Sequence, residues 1–190
     1  MGSDDAGEGG PPGEVAQIMS IQEDRARTYD QFEQGFRAHL VGGSDEDYEA
    51  VCKESTTQFA TASVKIVEIE KKLQALGGAS AGGLCGWIRK LQEAEKAKLY
   101  LTVGLHVERK RAAQLGAGSD TLKPSAPRDA EPESVGEGVD VAADVNALRG
   151  DSRELADLQA DKVRWMQSEM GTIIESINEA LDEIRYWELD

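Results

Sequence analysis

From Tyr48 to Leu76 the chain places apolar or small residues at alternating steps of four and three: Tyr48, Cys52, Ser55, Phe59, Ala62, Ile66, Ile69, Leu73 and Leu76. Between these stops the residues are mostly polar, among them Glu49, Lys53, Glu54, Gln58, Lys65, Glu68 and Lys71. This is the seven-residue repeat of an α-helix with one buried seam; a strand would alternate at every second position. A single helix cannot hide its own stripe, so the rest of the chain must supply the covering surface.

Three more segments have the required pattern. Upstream, Val15, Ile18, Gln22, Arg25, Tyr29, Phe32 and Phe36 form a stripe that Met19, Ala26 and Leu40 widen. Gly42-Gly43 ends this helix, and Ser44 caps the next, with Asp45, Glu46 and Asp47 in the first turn where the helix dipole favours anions. Gly77-Gly78 stops the second helix, and Ala79 to Gly83 reads as a flexible turn. The third helix is predicted from about Leu84 to about Ala113, on the stripe Leu84, Trp87, Leu91, Ala94, Leu101 and Leu105, with Lys98 interrupting it. From Leu99 to Val107 the apolar pattern broadens, which predicts cover on more than one side. The fourth helix is predicted from about Ser152 to about Trp187. Val163, Met170, Ile177 and Ile184 fall seven apart, Met166, Ile173 and Ala180 form a second row, and Ile174 and Leu181 add a third.

The pattern predicts an all-α fold, an elongated antiparallel bundle or coiled coil of four long helices. A three-helix bundle with a docked tail is the alternative. Residues 1–13 are expected to be a disordered acidic tail, 14–116 a three-helix antiparallel core, 117–150 a disordered acidic linker containing Pro and Gly, and 151–190 an amphipathic helix packing on the core. Within the linker, Val139 to Leu148 carries a weak apolar pattern, with a transient turn of helix as the alternative to disorder. The short glycine turns make the first three helices run up, down and up, and the linker is long enough to leave the direction of the fourth open.

Composition narrows the function. The formal net charge is −15 and aromatic residues make up 5%. Affinity for a polyanion comes from clustered Lys and Arg, so direct nucleic-acid binding is not expected. No apolar run approaches the roughly 20 residues a membrane crossing needs. The start of the chain lacks the basic and apolar regions of a signal peptide, and Ala6 stands where the acylation pattern requires Ser or Thr. Cys52 and Cys85 have no metal spacing and read as reduced thiols of a nuclear or cytosolic protein.

No motif points to catalysis, a metal or a cofactor. His39 and His106 are isolated on separate helices, Cys52 falls on the buried stripe, and the glycine clusters at Gly42 and Gly82 lack the lysine and strand of a phosphate loop. Basic residues on the third helix, including Arg109, Lys110 and Arg111, face an acidic fourth helix. They read as mutually neutralised or solvated faces, with a local patch for phosphate or an acidic partner as the alternative. Trp165, which lies off the main stripe, and Tyr186-Trp187 are candidate interface anchors, with cover for the end of the bundle as the competing role.

The polar stops are more informative. If the first two helices fold about Gly43, Arg25 comes level with Ser63; if the next pair folds about Ser80, Ser63 comes level with Ala97, flanked by Glu95 and Lys98. Gln22, Arg25, Ser63, Glu95 and Lys98 are therefore expected in one layer, with an Arg25–Glu95 ion pair and with Gln22 and Ser63 taking the remaining hydrogen bonds. Such a layer either fixes helix register or, if open on one side, grips a partner.

Four stretches resemble the required-for-excision B-domain family: QEDRARTYDQFEQGFRAHL, YEAVCKESTTQFATASVKIVEIEKKL, WIRKLQEAEKAKLYLT and INEALDEIRYWELD. Gln22, Arg25, Tyr29, Tyr48, Phe59, Ala60, Ser63, Leu91, Gln92, Glu95, Leu99 and Ile177 carry the resemblance. It covers all four helices, and the insertion before the last is longer here than in the family pattern. The resemblance implies a role in DNA excision repair and brings no catalytic residues. The expected function is a non-enzymatic nuclear adaptor that contacts helical or basic protein partners. The alternative is a structural coiled-coil subunit of a cytoskeletal or ciliary assembly, with a cytoplasmic or ciliary location.

Overall fold

The computed structural model describes residues 11–120 and 141–187, with side chains over 13–114 and 153–187. The described residues form four long helices and no strand: α1 (Pro11–Leu40), α2 (Asp45–Leu76), α3 (Gly78–Asp120) and α4 (Val141–Tyr186). They divide into two compact units, Met1–Leu101 with Met170–Asp190, and Thr102–Glu169. Sequential helices pack antiparallel, and α4 returns antiparallel to α3, which settles the direction that the linker left open.

The first unit contains the main core. Val15 and Ile18 of α1, Ile66, Ile69 and Leu73 of α2, Leu84, Ile88 and Leu91 of α3, and Ile177, Ala180 and Ile184 of α4 bury against one another. On α2 the buried positions are Ser55, Phe59, Ala62, Ile66, Ile69 and Leu73, the central run of the expected seam. Its ends loosen, since Leu76 is exposed. On α3 the buried line runs through Leu84, Ile88, Leu91 and Glu95. Ile88, absent from the expected stripe, takes a full core position, while Trp87 stays at its edge.

The turns explain the register. Gly42 adopts a left-handed φ of 107°, and the Gly43 N–H donates to Ala38 O, closing α1. Ser44 then caps α2, its hydroxyl accepting from the Asp47 N–H at 3.0 Å. The second turn is tighter than expected. Gly77 and Gly78 take φ of 70° and 91°, and α3 begins at once, so Ala79 to Gly83 are helical. Packing overrides the local flexibility of this glycine-rich stretch: Leu84 and Cys85 are buried, and a Cβ on Gly83 would lie 2.8 Å from the Trp187 ring.

The later helices also extend beyond their expected limits, α3 to Asp120 and α4 back to Val141. Residues 141–150 contain Ala142, Ala143, Ala147, Leu148 and Arg149, all strong helix formers, which outweigh the acidic composition of that stretch. The rest of the expected linker and residues 1–10 lie outside the described residues.

In the second unit, α3 and α4 meet around Glu108. Its carboxylate accepts from Lys162 Nζ at 2.7 Å and Arg111 Nη1 at 3.2 Å, and also from the Gln159 side-chain amide. The lysine and glutamine bonds hold this carboxyl below the usual carboxylate range. A depressed folded value gives stability that is complete above the unfolded value and fades as pH falls through the folded one. Glu108→Gln is therefore expected to reduce stability near neutral pH, with the difference from the parent shrinking on acidification in a chemical denaturation series. Expected cover along Leu99–Val107 is incomplete: Val103 and Val107 are each 45% exposed.

Two glycines test the helix packing in opposite directions. A Cβ on Gly35 of α1 would lie 2.7 and 2.9 Å from the two methyls of Val51, a stiff side chain, whereas one on Gly86 meets nothing within 4 Å. Gly86→Ala is expected to raise stability by about 0.5–1 kcal/mol through helix propensity. Gly35→Ala is expected to lower it, because overpacking costs about 1–3 kcal/mol and exceeds the same propensity gain. Denaturant midpoints measured side by side check both.

Candidate functional site

The site is a buried polar layer across α1, α2 and α3 in the first unit. Arg25 of α1 is 4% exposed, and its Nη2 donates to Ser63 Oγ at 2.8 Å and to Gln92 Oε1 at 3.1 Å. Ser63 Oγ in turn donates to Phe59 O, and Gln92 Nε2 donates to Ser63 O at 3.3 Å. Glu95, 7% exposed, places Oε2 3.9 Å from Arg25 Nη1, close enough for ion pairing and too far for a direct hydrogen bond. Burial pulls the guanidinium down from its ordinary range, and Glu95 opposes that shift.

Aromatic groups flank the layer. The Tyr29 and Phe59 rings lie 4.5 Å apart in a tilted pair, and Tyr29 OH donates to Glu95 O at 3.4 Å. Burial, and then the nearby Glu95 charge, push the Tyr29 phenol up, so it remains a donor throughout the physiological range. Lys98 Nζ sits 3.9 Å from the centre of the Tyr29 ring, a cation–π contact. Burial lowers the Lys98 pKa, with Glu95 acting against it.

A cleft of about 290 Å³ opens at this level, lined by Arg25, Tyr29, Phe59, Ser63, Gln92, Glu95, Lys96 and Leu99. Arg25 also borders a second cleft, of about 370 Å³, between α1 and α2. On that side Thr28 Oγ1 donates to Gln58 Oε1 at 2.7 Å. Arg25 thus borders both openings.

Arg25, Ser63 and Glu95 come together as expected. Gln22 does not complete their hydrogen bonding: it is buried, and its Nε2 has no hydrogen-bond partner among the described residues. Gln92 takes that role, because the hairpin turns at Gly77-Gly78 and Ser63 therefore faces Gln92 rather than Ala97. Gln92 lies one turn before Glu95 on the same side of α3, the spacing that could have identified it. Among the expected anchors, Trp165 is 62% and Tyr186 66% exposed, whereas Trp187 is half-buried against Gly83.

Cysteines and histidines lie apart from this layer. Cys85 is buried, its thiol 3.8 Å from Glu70 O and pushed up by burial. His39 stacks on Tyr48 and places Nε2 3.5 Å from Asp45 Oδ1. Among the described residues, no group of three His, Cys, Asp or Glu side chains could hold a metal ion, and no helix is long and apolar enough to cross a membrane.

These features define a helical-bundle protein with a buried polar layer bordered by surface clefts. The family model for DNA repair REX1-B matches residues 13–109, about half of the chain and the three helices that build the layer. The chain belongs to the REX1-B family. It is also similar to the Required for excision 1-B domain-containing protein of Mus musculus, with 31% identity over 96 residues, 49% of this chain and 56% of that relative. The chain thus spans just over half the length of the curated relative it matches. No solved structure matches it.

Proposed function

We propose that the protein acts in DNA excision repair as a non-enzymatic nuclear adaptor, holding a protein partner through the polar layer and its clefts. The observation that carries this reading is the match to a DNA repair family across the three helices that supply Arg25, Ser63, Gln92 and Glu95. Exposed Trp165 and Tyr186 suit the anchoring of a protein surface. The net charge of −15 favours a basic or helical partner over a nucleic acid.

The test is recruitment in living cells. A tagged chain should be nuclear and should gather at sites of ultraviolet damage, and loss of the protein should slow lesion removal. Trp165→Ala should weaken recruitment without changing the thermal melt. A protein that stays on filaments or cilia regardless of damage would replace this reading with that of a structural subunit. Gel shifts at physiological salt should show no sub-micromolar affinity for duplex or damaged DNA; tight binding there would make the contact with DNA direct.

A further inference from the structure

Over the second unit, α4 shows two different faces. One packs on α3: the Gln159 amide donates to Glu108 O at 3.2 Å and Lys162 Nζ to the Glu108 carboxylate at 2.7 Å. Met166 is buried on the same side, and a Cβ added to Gly104 would lie 2.7 Å from its methyl. The other face carries Leu155, Leu158 and Trp165, which are 57%, 61% and 62% exposed. Their spacing, three residues and then seven, keeps them on one side of the helix over a length of about 15 Å. Single apolar side chains are ordinary on a protein surface; a row of three that ends in a tryptophan marks an interaction site.

Carboxylates border this row. Glu154 and Asp161 stand within four residues of Leu158, and Asp161 and Glu169 stand four residues to either side of Trp165, the spacing of neighbours on a helix surface. All three acids are exposed. The lysine that shares the row, Lys162, has its ammonium on Glu108. Arg164 pairs with Asp161, but both groups are well exposed, and such a pair is worth little against a better-placed cation. The result is an apolar strip with an acidic border.

Charge decides what can cover the strip. A second copy meeting it with the same strip would set these carboxylates against their own counterparts. Residues 121–140 hold five acidic residues against two basic, so charge opposes this part of the chain as well. Nucleic acid and anionic lipid carry the wrong sign too. A cationic amphipathic helix matches on both counts: apolar anchors at i, i+3 and i+7 meet the row, and flanking Lys or Arg side chains meet the carboxylates.

We propose that the α4 face formed by Leu155, Leu158 and Trp165 is the docking surface for a basic amphipathic helix of a partner protein. The existence of a partner rests on the adaptor reading above; the chemistry of the surface does not. The face lies outside the family-matched residues 13–109, so it belongs to the part of this chain that the shared family core does not cover. Trp165 is the principal anchor. Three side chains supply less than the roughly 800 Å² per partner of a standard stable interface, so the contact is of the weak, transient kind.

The probes are three fluorescein-labelled 18-residue peptides, titrated with the full chain and followed by anisotropy. One has leucine along one helical face and lysine elsewhere; the second is the same composition shuffled so that the leucines share no face; the third replaces every lysine with glutamate. The first should bind with a Kd of about 10–100 µM, and the other two at least about tenfold more weakly. Trp165→Ala should weaken the first peptide at least about tenfold with an unchanged thermal melt. Glu154→Lys/Glu169→Lys should weaken it by a similar factor, and that loss should shrink in high salt. The same reversal at Glu49 and Glu68 of α2, both exposed and in the other unit, should change it less than about twofold. Equal binding of the shuffled or the acidic peptide overturns the proposal, as does binding that survives Trp165→Ala. A dimer in sedimentation that Trp165→Ala dissolves overturns it in favour of a second copy. No repair partner enters this titration. A failed recruitment experiment with selective binding of the first peptide would remove the adaptor reading alone, and the reverse outcome would remove the docking surface alone.

Discussion

Phe59→Ala is expected to destabilise the protein by about 3–5 kcal/mol, the range for emptying a buried aromatic position. The ring is 6% exposed, sits mid-seam on α2 and packs 4.5 Å from the Tyr29 ring. Two losses combine: the transfer of the ring out of water and the contact with Tyr29, a pairing worth about 0.5–1.5 kcal/mol beyond its area. The result should lie toward the lower end of the range. Phe59 also lines the 290 Å³ cleft, and water entering from that side can fill part of the space left behind. Urea unfolding of parent and variant measures the difference. A midpoint equal to the parent's would place Phe59 outside the core.

The second large effect is expected at the polar layer. Arg25→Leu leaves Glu95 buried without its cation and removes the donor to Ser63 Oγ and Gln92 Oε1. Breaking one side of a buried charged pair costs roughly 3–5 kcal/mol, because the survivor is stranded in low dielectric. Glu95→Leu should cost less, since Arg25 keeps its bonds to Ser63 and Gln92. The double change should be milder than the sum of the single losses, with a coupling of about 0.5–3 kcal/mol. The 3.9 Å separation argues for the lower half of that interval, as no direct hydrogen bond joins the pair. A full denaturation cycle with the four proteins reads this number. Strictly additive losses would show that the two groups do not sense one another.

The α1–α2 hairpin was legible in the sequence because its signals agree. Gly42 and Ser44 fix the turn, the seam fixes the face, and Arg25 meets Ser63 as the turn position requires. The α2–α3 hairpin was harder to read. Ala79 to Gly83 has the composition of a loop, yet the helix runs through it because Leu84, Cys85 and the Trp187 ring pack there. A tertiary contact with a residue far along the chain leaves no trace in local propensity. The displaced turn is what replaced Ala97 with Gln92 opposite Ser63, and so changed the membership of the layer. Lys98 followed a related course: it belongs to this height of the bundle, and its ammonium rests on the Tyr29 face. Ring contacts of this sort have no fixed sequence spacing.

The place of α4 in the core has a consequence for biosynthesis. Ile177, Ala180 and Ile184 bury against residues of α1, α2 and α3, yet they leave the ribosome well after them. While the intervening segment is being translated, the apolar stripes of the first three helices lack their final cover. At about 5–20 residues per second, that interval lasts several seconds. The nascent chain is therefore a natural client for holdase chaperones, and the family-matched segment 13–109 produced without α4 would carry the same exposed stripe permanently.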